Sequence, residues 1–252
     1  MIEDVRKYWN ENLHDIAITS FLPGSAEFFK ELGSYRYKKL NYLVDLLDFE
    51  SYRGKYLLEI GCGVGIDLVR FARAGATVVG VDVSEKAIGL AQKYFSLENL
   101  QVDLHVMNGE ALEFTNNTFD VVYVHGVLPY TTHPEKMISE VYRVLKPGGE
   151  AILMVYNKFS WLNLLTKLTN VPLEHVDAPV YRKYSTSEFK KLLKPFKQYQ
   201  IIFERFPSKT QLHNNWKGKV YNDFFVRAFN FIPRVMIKPF GWHMVSFAVK
   251  EK

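Results

Sequence analysis

The chain has 252 residues, 48% of them apolar, with a formal net charge of +5 and one cysteine. That length suits one large domain, or one domain carrying an elaborated lid. Cys62 alone excludes an internal disulfide and any multi-cysteine metal site, and no metal ligand set is expected. No apolar run approaches the roughly 20 residues of a membrane span. The opening Met1-Ile2-Glu3-Asp4 lacks the basic-then-apolar layout of a signal peptide, so a cytoplasmic location is expected. Charge is unevenly placed: residues 181–252 carry a net +11 and residues 1–180 a net −6. A basic C-terminal third fits an anionic partner or a solvated basic face.

In chain order, residues 1–50 read as helical, with Leu40, Leu43, Val44 and Leu47 at helical spacing. From Lys55 to Asn157, short β-branched runs alternate with helical stretches, the pattern of βαβ units on a parallel sheet. Strands are predicted near 56–60, 77–82, 101–106, 119–124 and 149–156, and helices near 65–75, 84–96 and 134–145. Ser84 is positioned to cap the second helix, and Pro134 opens the third. Beyond this core, 185–196 reads as a helix, 199–206 as a strand, 208–241 as an insertion and His243–Lys250 as a last strand.

The strongest chemical signal lies at the end of the first strand. Glu59-Ile60-Gly61-Cys62-Gly63-Val64-Gly65 breaks a buried-strand run into three alternate glycines. Glycine is required where backbone takes positive φ or approaches a ligand closely. Asp82 ends the next strand seventeen residues after Gly65, where an acid suits a ribose diol. A third glycine at 65 fits poorly with a dinucleotide pyrophosphate. It suits a nucleoside carrying an amino-acid tail, whose ammonium Glu59 would help hold.

Four segments in this order resemble the class I S-adenosylmethionine-dependent methyltransferases, within the type 11 group that includes ubiquinone and menaquinone C-methyltransferases. They are Glu59–Gly65, Val79-Gly80-Val81-Asp82-Val83-Ser84, Asn108–Phe114 with Phe119-Asp120-Val121-Val122, and Arg143–Glu150. The resemblance spans about 100 residues, Leu57–Asn157. It implies an α/β, Rossmann-like fold: a mostly parallel seven-stranded sheet with helices on both faces. Residues 1–50 would then form a helical N-terminal lid and 51–252 the methyltransferase domain, with 208–241 as a helical insertion before the last strand. The implied cofactor is S-adenosyl-L-methionine, leaving as S-adenosyl-L-homocysteine. Glu59, Gly61, Cys62, Gly63 and Gly65 would line its methionyl and ribose part. Asp82 would accept the ribose hydroxyls, Val83 would lie against the adenine, and Glu110 beside Ala111 would take the adenine amino group. His125 would border cofactor and acceptor and is the candidate base.

Methyl transfer needs geometry more than side-chain chemistry, because attack on the sulfonium methyl is in line. The expected acceptor is small and apolar or aromatic, lined by Trp9, Tyr130 and Tyr156. Two rival readings stay open here: a non-catalytic cofactor-binding sensor, and a nicotinamide-dependent oxidoreductase. The insertion interleaves Trp216, Tyr221, Phe224, Phe225 and Phe229 with Lys217, Lys219 and Arg227. It reads as a substrate lid, with packing on Trp161, Leu164 and Leu165 or docking on an anionic membrane surface as alternatives. No base-reading motif points to nucleic acid.

Overall fold

The computed structural model describes residues 1–169, 173–208 and 219–252. Its centre is a sheet of seven strands: β1 (Tyr56–Ile60), β2 (Thr77–Asp82), β3 (Asp103–Val106), β4 (Phe119–His125), β5 (Leu145–Tyr156), β6 (Gln198–Glu204) and β7 (His243–Val249). They lie in the order β3-β2-β1-β4-β5-β7-β6, and only β7 runs against the rest. This is the expected fold class. Both faces are covered, so the strands read as continuous apolar runs. Leu57, Val121, Tyr123, Ile152 and Met154 point to one layer, while Leu58, Val122, Val124, Leu153 and Val155 point to the other.

The first layer is built by α1 (Ile2–Glu11), α2 (Ala26–Lys39), α3 (Tyr42–Leu47), α4 (Ile66–Arg73) and α5 (Glu85–Leu97). The second is built by α6 (Pro134–Val144) and α8 (Thr186–Leu192), with α7 (Trp161–Thr169) preceding α8 in the chain. Ser84 accepts the Ala87 amide as expected, and Ser185 and Glu188 close a full capping box at α8. The helical run through Leu40 is broken between α2 and α3. Leu40, Leu43 and Leu47 are buried, but Val44 faces solvent.

Lys146-Pro147-Gly148-Gly149 lies inside β5, which begins at Leu145 and not near 149 as the sequence predicts. Phe119 pairs with Leu145 but Val121 pairs with Glu150, so these four residues bulge out of the ladder. Gly148 there takes φ +79°, and Lys146 Nζ bonds Asp120 Oδ1 at 2.8 Å.

The N-terminal helices are fastened to the sheet by a buried acid. Asp67 on α4 accepts from Arg36 Nε at 2.6 Å and again from Arg36 Nη2, from Tyr37 Oη at 2.9 Å and from Tyr123 Oη at 2.9 Å. Burial alone would raise this carboxyl; the Arg36 guanidinium outweighs it and holds Asp67 down at about 2. The unfolded value is near ~3.9. The folded group is therefore the stronger acid, and its stabilisation is present above about pH 4 and lost as pH falls towards 2. Asp67→Asn is expected to cost about 3–5 kcal/mol at pH 7, because it leaves Arg36 buried without its counter-charge. It should also flatten the acid limb of stability between pH 4 and 2. Urea unfolding of both proteins across that range checks this; parallel acid limbs would remove Asp67 from the role.

Candidate active site

A cleft opens at the C-terminal ends of β1, β2 and β4, where the strand order reverses between β1 and β4, the position at which open α/β sheets bind ligands. Its floor is the turn after β1. Gly61 takes φ +71°, and a Cβ there would sit 2.2 Å from Val127 Cγ2. Gly63 takes φ +53° with open space where a Cβ would point, which leaves room for a ligand against the backbone. Gly65 is different and corrects the reading of three ligand-lining glycines. It begins α4 at φ +83°, meets Ala91 and Phe95 of α5, and is absent from the cleft wall. Its smallness serves helix packing. Ala111 also lies outside the cleft and is exposed.

Asp82 ends β2 with both carboxylate oxygens oriented by backbone: Oδ2 accepts from Gly63 N and Oδ1 from Ser84 N, each at 2.9 Å. Glu59 is buried beneath the turn, and its Oε2 has no partner. Burial first, and the negative charges of Asp67 and Asp82 after it, push its carboxyl well above the ordinary range. An orphaned acid among acids is a place for a cation. Cys62, Val83 and Glu110 complete this end of the cleft. One oxygen of Glu110 is already engaged by His133 N at 2.9 Å, tying the loop after β3 to the start of α6.

Trp9, Tyr130 and Tyr156 do converge. Trp9 meets Tyr130 edge-on at 5.1 Å, Tyr130 meets Tyr156 at 6.0 Å, and all three line the cleft. Helix α1 is held over the mouth by Asn10, whose Oδ1 accepts from Ser84 Oγ at 2.7 Å while its Nδ2 donates to Glu85. Ile2, Val5 and Leu13 join Trp9 on the cleft wall. Nearby, Lys39 bridges Asp15 at 2.8 Å and Glu174 at 2.7 Å, beside His14 and His175.

His125 sits at the end of β4, within a chain of polar groups that the sequence does not announce. Arg36 Nη2 faces its Nδ1 at 3.4 Å, and Tyr42 Oη lies 3.0 Å from its Nε2. Tyr42 Oη also lies 2.6 Å from His243 Nδ1, and Arg205 Nη1 lies 3.2 Å from His243 Nε2. Burial, then the Arg36 charge, pushes the His125 imidazole down to about 3, and burial with Arg205 carries His243 well below the ordinary range. Arg205 follows β6 at φ +58°, its carbonyl accepting from Trp161 Nε1 at 2.8 Å.

The described part of the insertion packs on α7. Residues 221–230 form α9, a π turn (Tyr221–Phe225) running into Val226–Asn230, and α10 (Arg234–Ile237) follows. Tyr221, Phe225 and Phe229 pack on Trp161 of α7, with ring centroids 6.1–6.4 Å apart. None of the described residues 219–241 lines the cleft. Trp216 and Lys217 lie outside the described residues.

A family model described as a methyltransferase domain matches residues 58–153. Ubiquinone biosynthesis O-methyltransferase of Pseudomonas putida strain F1 is 32% identical over 168 residues, covering 66% of this chain and 69% of that protein. Its namesake in Azoarcus sp. strain BH72 is 36% identical over 106 residues, 42% and 46% of the two chains. Among solved structures, magnesium protoporphyrin IX methyltransferase from Synechocystis PCC 6803 superposes with a TM-score of 0.62 at 19% identity, covering 98% of each chain. A possible histamine N-methyltransferase from Thermotoga maritima gives 0.58 at 20% identity, covering 89% and 98%. At these identities the solved structures speak to the fold. With the domain match and the Pseudomonas relative beside the glycine turn and Asp82, the chain belongs to the S-adenosylmethionine-dependent methyltransferases of the class I fold.

Proposed function

We propose that this methyltransferase acts on a hydroxyl oxygen of a small, apolar or aromatic acceptor held against Trp9, Tyr130 and Tyr156. The observation that carries the reading is the aromatic convergence inside the same cleft as the glycine turn. The relatives named O-methyltransferases support oxygen as the methylated atom.

The residues at the cofactor end fit S-adenosylmethionine. Glu59 Oε2, buried and unpartnered, would take the methionyl ammonium, whose charge would oppose the upward push on its carboxyl. Asp82, its oxygens aimed by Gly63 and Ser84, would take the ribose hydroxyls. Val83 and Glu110 would border the adenine. When bound, S-adenosylmethionine supplies a methyl group on a cationic sulfur, open to in-line attack. The chain's own part is to position the acceptor and exclude water. The face of Trp9 or Tyr130 tolerates a cationic sulfur nearby. His125 belongs to the wall as a hydrogen-bonding group rather than as the base, because its imidazole titrates far below neutral pH.

The acceptor's source is proposed to be an anionic membrane surface, met by α7, α9 and α10. Phe231 (88%), Val235 (85%), Leu168 (76%) and Phe224 (73%) are largely exposed. Residues 158–169 and 219–241 carry six Lys or Arg against Asp223 as their one acid. Exposed apolar groups flanked by cations suit the interface of an anionic bilayer. No described helix is long and apolar enough to cross a membrane, so contact would be peripheral.

Calorimetry should show S-adenosylhomocysteine binding, and Asp82→Ala should weaken it by about 1.5–3 kcal/mol, the scale of hydrogen bonds to a charged group. Unchanged affinity would take the ribose away from Asp82. Radiolabelled transfer to a panel of phenols and quinols, set against amines, should place label on oxygen. Vesicles containing phosphatidylserine should co-sediment the protein at low salt and release it at high salt, and Phe224→Ser with Phe231→Ser should abolish this. Sedimentation indifferent to both salt and variant would sink the membrane reading.

A further inference from the structure

Among the described residues, the buried side-chain polar atoms without a hydrogen-bond partner include two from residues that line the cleft, Glu59 Oε2 and Thr132 Oγ1. Glu59 has a part in holding the cofactor; Thr132 has none so far. A buried hydroxyl without a partner is costly, and a ligand that bonds to it removes the cost. Thr132 stands one residue before His133, the N-cap of α6, and no side chain caps that helix. Its neighbour Thr131 spends its own hydroxyl on the Val127 carbonyl at 3.1 Å. The Thr132 carbonyl accepts from Arg182 Nη2 at 3.0 Å, which holds the backbone while the side-chain hydroxyl stays unengaged.

Thr132 belongs to the adenine end of the cleft. The next residue, His133, donates its amide to Glu110 Oε1 at 2.9 Å, so Thr132 and Glu110 stand on two loops joined by one hydrogen bond. Met107, Asn108 and Gly109, which lead into Glu110, line the same cleft. The amides of this loop are turned inward: Glu110 N donates to Asn108 Oδ1 and Ala111 N to the Asn108 carbonyl, each at 3.0 Å. Both are thereby committed. Adenine presents an amino group that donates and, on either side of it, a ring nitrogen that accepts. With Glu110 offering an acceptor to the amino group, the ring nitrogen needs a donor, and a threonine hydroxyl supplies one.

We infer that Thr132 is a further cofactor-binding residue, whose hydroxyl donates to the adenine ring nitrogen (N1 or N7) flanking the amino group taken by Glu110. This rests on the S-adenosylmethionine reading and adds a second point of base recognition to it. One side chain accepts and the other donates, the complement of adenine's own donor and acceptor. A base with oxygen in place of the amino group would set an acceptor against the Glu110 carboxylate, so the two residues together select adenine. In the empty cleft the same hydroxyl is a liability. It is held ready for the cofactor at some expense to the stability of the free protein.

Thr132→Val exchanges the hydroxyl for a methyl. Calorimetry on the full chain should show this variant binding S-adenosylhomocysteine about three- to tenfold more weakly, the scale of one neutral hydrogen bond. Thr132→Ser, which keeps the hydroxyl, should stay within about twofold of the unaltered chain. Of the 1-deaza and 7-deaza analogues of S-adenosylhomocysteine, each with one ring nitrogen replaced by carbon, one should bind the valine variant and the unaltered chain equally, because it lacks the atom that Thr132 meets. The ligand-free valine variant should melt at or above the temperature of the unaltered chain, whereas loss of a structural hydroxyl would lower it. Unchanged affinity for S-adenosylhomocysteine overturns the inference, as does a loss shared equally by both analogues or a ligand-free valine variant that melts lower. Failure of S-adenosylhomocysteine to bind the unaltered chain would instead strike the cofactor assignment on which the inference stands.

Discussion

The bidentate pair of Arg36 and Asp67 is the constraint on which the rest of the active-site cleft depends. Asp67 stands on α4, Arg36 and Tyr37 on α2, and Tyr123 on β4, so one carboxylate joins three elements from distant parts of the chain. Taking both charges out of water is expensive, and the pair offsets that cost only because the remaining lone pairs of Asp67 are met by two tyrosines. The return is in geometry rather than net stability. With Nε and one Nη2 hydrogen committed to Asp67, the remaining Nη2 hydrogen is aimed at His125. The polar wall beyond it inherits its order from that one orientation.

The same pair separates the two ends of the cleft. On one side, Glu59, Asp67 and Asp82 crowd carboxyls under the glycine turn, and burial with its acidic neighbours pushes the Glu59 carboxyl well above the ordinary range. On the other, Arg205 stands beside His243 and shares the field at Tyr35 and Tyr156 with Asp15 and Glu174, the two carboxylates that hold Lys39.

The cofactor end was legible in the sequence because its chemistry is local. Glu59, Gly61, Gly63 and Asp82 act through backbone conformation and strand ends, and both are written in short runs. Strand limits followed for the same reason, apart from the bulge that hides Lys146–Gly149 inside β5. Gly65 is less legible, because a glycine needed for helix packing and one needed for a ligand look alike in sequence until Ala91 and Phe95 are seen beside it. Arg36, Tyr42, Asp67, Arg205 and His243 left no comparable trace. They come from five separate segments and carry no shared spacing, and each resembles a surface charge or a core aromatic on its own. Asp67, placed between Ile66 and Leu68 on a buried face, was the nearest thing to a signal.

The insertion shows how composition can be right about chemistry and silent about direction. Its aromatics were legible as an apolar face, but a helix with two apolar stripes has two possible partners. Tyr221, Phe225 and Phe229 spend one stripe on Trp161, whose indole in turn holds the Arg205 carbonyl. Val220, Phe224 and Phe231, at spacings of four and seven, form the other and remain exposed. The inward stripe thus braces a residue of the cleft wall, while the outward stripe is the one proposed to meet a membrane. Through Trp161, α9 is therefore tied to the Arg205 backbone at the rim of the cleft although no described residue of the insertion enters it.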